Sequence, residues 1–138
     1  MVYQPQSDVQ VIIIPVDGHL ETSPTEVEAT LLVCPEGSDT QLELLSVGFR
    51  ANTLPGDSSD VTVNIEFIDD SAGDGVTTIG AGTHNLKSGD ALVNNELYRG
   101  NQILDPGDAI NAEITTDGLD IPAQGACFVV EFRMKRHA

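Results

Sequence analysis

Carboxylates are the commonest groups in this chain that could do chemistry: 22 Asp and Glu stand against 6 Lys and Arg. Asp69, Asp70 and Asp74, followed by Gly75, could give oxygens to a calcium ion. An EF-hand loop begun at Asp70 would place Ala72 at its third position and Ala81 at its twelfth, so two ligands fail. Asp57 with Asp60, and Asp117 with Asp120, are looser pairs, and aspartate is in any case a favoured turn residue. His19, His84 and His137 fall in predicted turns or the C-terminal tail, none spaced as a metal or catalytic pair. Cys34 and Cys127 stand far apart in apolar stretches. Reduced buried thiols are expected, with a single bridge open if their strands face each other. No G-x-S-x-G, P-loop or dinucleotide glycine pattern occurs, and Gly80-Ala81-Gly82 is only an echo of one. The expectation is a protein without a catalytic site, bound metal or cofactor.

What remains is recognition. The formal charge of −16 repels phosphate backbones, so nucleic acid is not an expected partner. Arg133, Lys135 and Arg136 lie in the last six positions, a small positive tip on a negative body. Such a tip reads as a solvated tail or, more sharply, as a contact point for a partner. Tyr98 beside Arg99 is the one candidate for an exposed stacking pair, and it would serve equally as an interface anchor. Met1–Gln6 lacks the basic and apolar regions of a signal peptide, and no apolar run reaches membrane-spanning length. A protein made in a cytosol, with no membrane partner, is expected.

The elements that must position these residues are strands. Val61, Val63, Ile65 and Phe67 alternate with Thr62, Asn64 and Glu66. Ile110, Ala112 and Ile114 alternate likewise, as do Phe128, Val130 and Phe132. Val27–Val33 follows the pattern until Leu32 interrupts its polar side, and Leu42–Phe49 makes a strand bent near Ser46 and Gly48. Val9–Ile14 is apolar on both faces at its end, which predicts cover on both sides by the second sheet or a neighbouring subunit. Turn sequences such as Pro35-Glu36-Gly37 and Asp105-Pro106-Gly107-Asp108 separate the strands. Ala91–Leu97 is the best candidate for a helical turn. The fold class expected is all-β, a two-sheet antiparallel sandwich of jelly-roll type. One domain spans residues 9–138, preceded by an extended N-terminal arm over 1–8.

Leu104-Asp105-Pro106-Gly107-Asp108-Ala109-Ile110 runs into the strand Asn111–Thr115, and a short loop then leads to the closing strand Cys127–Arg133. This order resembles the C-terminal halves of small jelly-roll proteins on tailed-phage virions, the capsid decoration or cement proteins. The resemblance covers the last third of the chain closely and the rest in strand rhythm. It implies a homodimer or homotrimer on the capsid surface of the virion that bridges and stabilises major capsid protein subunits. Tyr3, Gln4 and Pro5 in the arm, Tyr98 and Arg99, and Arg133, Lys135 and Arg136 are the residues expected to contact partners. A carbohydrate- or ligand-binding sandwich of the fibre or adhesion type is the alternative reading.

Overall fold

A computed structural model describes residues 9–15, 25–37, 39–51, 61–73, 75–85, 95–116 and 126–136. The expected arm, with Tyr3, Gln4 and Pro5, lies outside these residues, as do His19 and His137. Eight strands form in chain order: β1 Gln10–Pro15, β2 Thr25–Val33, β3 Thr40–Arg50, β4 Val61–Asp69, β5 Gly75–Asn85, β6 Asn95–Leu104, β7 Ala109–Thr116 and β8 Cys127–Arg136. They pair antiparallel into two four-stranded sheets, β1-β8-β3-β6 (sheet A) and β2-β7-β4-β5 (sheet B). The pairs β1/β8, β2/β7, β3/β6 and β4/β5 are nested in sequence, as in one long hairpin rolled over on itself. That is jelly-roll order, and the expected sandwich is the fold.

Side-chain alternation explains the division into layers. Leu44, Val47, Phe49, Phe128 and Val130 of sheet A meet Leu31, Val63, Ile65, Ile110, Ala112 and Ile114 of sheet B in a fully or nearly fully buried core. Phe49 and Phe128 sit edge to face with ring centroids 5.7 Å apart, the arrangement their quadrupoles favour. Where the sequence alternation stumbles, the ladder shifts. An irregularity between Thr30 and Leu32 lets both Leu31 and Leu32 turn inward. Strand β3 shifts register at Leu44/Ser46 and Val47/Gly48, the places where its pattern predicted a bend.

Three expectations need correction. Residues 95–97 of the supposed helical turn belong to β6. His84 lies in β5, opposite Val63, rather than in a turn. Strand β1 is covered on one side only: Ile12 and Ile14 pack on the core, while Val9, Val11 and Ile13 are 47%, 55% and 64% exposed. Among the described residues it is an edge of sheet A, and a run of three isoleucines does not by itself say whether a strand is central or at an edge.

Candidate functional site: two sheet faces of opposite charge

The sheets divide the chain's charges unequally. Sheet B strands contain no Lys or Arg but carry Glu26, Glu28, Glu66, Asp69 and Glu113. Sheet A strands carry Arg50, Arg99, Arg133, Lys135 and Arg136, five of the six basic residues of the whole chain, against Glu43, Glu96 and Glu131. A molecule of charge −16 therefore presents one sheet that is slightly positive. At long range the net charge favours a basic surface, and only at short range does sheet A accept an acidic surface more readily than sheet B does.

Alternation turns most of the sheet A charges outward. Glu43 lies opposite Arg133, and Arg50 lies opposite Cys127, between core-facing neighbours. Glu43 is almost wholly covered, with Arg133 Nε 3.1 Å and Lys135 Nζ 3.7 Å from its carboxylate oxygens. Arg133 Nε approaches without hydrogen-bond alignment, so the contact is an ion pair only. Arg133, Lys135 and Arg136 are consequently not a solvated tail. They form the last turns of ladder between β8 and β3, with Arg136 opposite Thr40. Further along the face, Ser46 donates to Glu131, and Arg99 binds Glu96 through Nε at 3.0 Å and Nη2 at 2.6 Å. That pairing holds the Glu96 carboxyl below its ordinary range and raises the Arg99 guanidinium. Ser46 and Gly48 have little side chain, which leaves a groove of about 290 Å³ between Val129 and Glu131 on one side and Glu96 and Arg99 on the other.

Tyr98 does not form an exposed stacking pair with Arg99. It is half-buried against the core, and its hydroxyl reaches back over Gly100 to the backbone of Asn101 and Gln102. Burial pushes its pKa above the usual 10.0. A Cβ on Gly100 would lie 2.5 Å from that hydroxyl, so a glycine is needed for this packing.

The outer side of sheet B holds a feature the sequence reading missed. Carboxylate oxygens of Glu28, Glu66 and Glu113 lie within 4.8 Å of one another. Each glutamate is visible as the polar member of an alternating strand, but only the β2-β7-β4 register brings the three together. The expected acidic loop fares differently. Asp69 caps a short 3-10 turn, Asp70–Ala72, accepting from the amide and hydroxyl of Ser71. Asp74 lies outside the described residues.

The turn that carries the family resemblance is a structural clasp. Asp108 is buried and accepts from the amides of Asp70 and Asp105 at 2.9 Å each. Its own carbonyl accepts from Cys34 N, and Gly107 N donates to the Cys34 carbonyl. Gly107 has φ +97°, which an L side chain rarely adopts, and Asp70 fills the space where a Cβ would stand. Three separate turns are thereby tied together. No disulfide joins Cys34 to Cys127, and the Cys34 thiol donates to the Thr40 carbonyl at 3.2 Å. No protein-family model matches the sequence, and no curated protein was found to be similar to it.

Proposed function

We propose that this chain is a virion structural protein, a capsid decoration or cement protein that binds the outside of an assembled capsid and bridges major capsid protein subunits, without catalysing a reaction. The observation that supports this most is the asymmetry of the sandwich. The jelly roll carries five of its six basic residues on one sheet and has an apolar edge strand beside them, which is the surface a protein-docking module needs. Decoration asks for little more. Each contact can be weak, because repeated engagement across a lattice multiplies avidity without new contacts. The strongly negative remainder keeps the protein soluble in its host's cytoplasm until shells are available.

The reading assigns the outer side of sheet A, including Arg50, Arg99 and Lys135, to the capsid, with residues 1–8 as a second point of attachment. Incubation with empty shells of the same phage's major capsid protein, followed by sedimentation, tests it. Saturable co-sedimentation is expected, weakened by removal of residues 1–8 while the circular dichroism spectrum is retained. Undiminished binding of the shortened chain would remove the arm from the reading, and no binding by the full chain would remove the reading itself.

A further inference from the structure

Among the described residues, strand β1 shows no charge, internal proline or bulge of the kind by which edge strands usually avoid pairing. Such edges carry charges, a proline within the strand or a bulge. Gln10-Val11-Ile12-Ile13-Ile14-Pro15 has no ionisable side chain, its only proline is the terminal residue, and its register with β8 runs without a shift. The other three edges differ. Strand β2 carries Glu26 and Glu28, β6 carries Glu96 and Arg99, and β5 carries His84. Val11 and Ile13 of β1, moreover, with Val9 just before it, leave an apolar row open to solvent.

We infer that β1, an edge strand among the described residues, pairs antiparallel with β1 of a second copy, joining two A sheets into one eight-stranded sheet across a twofold axis. Electrostatics select this occupant. Two bodies of charge −16 repel, so they can meet only where the contact itself is neutral. Strands β1 and β5 both lack Asp, Glu, Lys and Arg, and of the two only β1 runs without a register shift and carries a row of exposed aliphatic side chains among the described residues. The strand is also self-complementary. With the axis at Ile12, Val11 of each copy lies directly opposite Ile13 of the other, which packs the exposed row against its equivalent. Such a contact is isologous and closes at two copies. Six residues span only about 20 Å of strand, less than a standard interface provides, so the dimer is reversible, with a dissociation constant on the order of 1–100 µM. The inference does not depend on capsid binding.

Sedimentation velocity of the full chain over a concentration series tests it. A dimer is expected that tightens as salt rises, because salt screens the repulsion of the two bodies and leaves the neutral contact intact. Val11→Lys with Ile13→Lys, and separately Val11→Glu with Ile13→Glu, replace exposed side chains and should leave the far-UV spectrum and melting unchanged. Each double variant alone should lose dimerisation by about tenfold or more, and an equimolar mixture of the two should restore a heterodimer. A wild-type monomer at all concentrations would overturn the inference. So would variants that dimerise like the wild type, or a dimer that loosens with salt.

Discussion

Asp108 satisfies two backbone amides, Asp70 N and Asp105 N, that lie outside the strand ladders. Replacement by Ala would remove the acceptor of both part-buried donors. Asp108→Ala should therefore destabilise the fold by about 1–3 kcal/mol in urea unfolding, since each of the two hydrogen bonds contributes about 0.5–1.5 kcal/mol net. A loss below about 0.5 kcal/mol, the range of ordinary surface substitutions, would show that the clasp is dispensable. Tyr98 gives a second prediction. Burial favours its neutral phenol, so its folded pKa exceeds its unfolded one. The associated stability is full below pH 10.0 and is lost as pH rises through the folded value. Ultraviolet titration of wild type against Tyr98→Phe should show a phenol ionising above pH 10.0, and one ionising below it would contradict the packing described. Glu96 has the opposite sign. The contribution of its pairing with Arg99 is present above its ordinary carboxyl pKa and is lost as pH falls through the depressed value.

At the scale of elements, the alternating strands were the legible ones. Strands β4, β7 and β8 bury one side chain in two, and their period is plain in Val63-Ile65, Ile110-Ala112-Ile114 and Phe128-Val130. Strand β5 was missed because Gly75–Asn85 combines glycines and threonines with only two large aliphatic residues, Val76 and Ile79. Its place is set by pairing with β4, a long-range cause that no local pattern records. Strand β6 escaped because its register shifts against β3 break the period through Leu97, Tyr98 and Arg99. The same limit hid the candidate surfaces. The basic residues near the C-terminus were visible, but the approach of Arg133 and Lys135 to Glu43 needs β8 beside β3, and the Glu28, Glu66 and Glu113 group needs three strands in register. Glu28 and Glu113 are directly opposed like charges, an unfavourable cross-strand pair. Glu113→Thr should raise stability by about 0.5–1 kcal/mol at low salt, and less at high salt. A lowered melting temperature in thermal unfolding would show instead that the carboxylate of Glu113 supports the sheet.

Over the whole molecule, the uneven division of charge is the feature on which the proposed function rests. Confining five of six basic side chains to sheet A makes the sandwich strongly polar across its thickness. It can present sheet A to an acidic or apolar surface while sheet B stays hydrated. Edge pairing at β1 would double that face without covering it, so dimerisation and capsid docking are compatible on one sheet. Sedimentation with phage shells, comparing substitutions on the two outer faces, tests this account most directly. Arg50→Glu with Arg99→Glu reverses charge on sheet A, and Thr30→Lys alters an exposed position on sheet B. The account predicts that wild type and Thr30→Lys pellet with shells, whereas the sheet A double substitution loses binding by about tenfold or more and still folds. Equal binding by all three, or loss confined to Thr30→Lys, would contradict it.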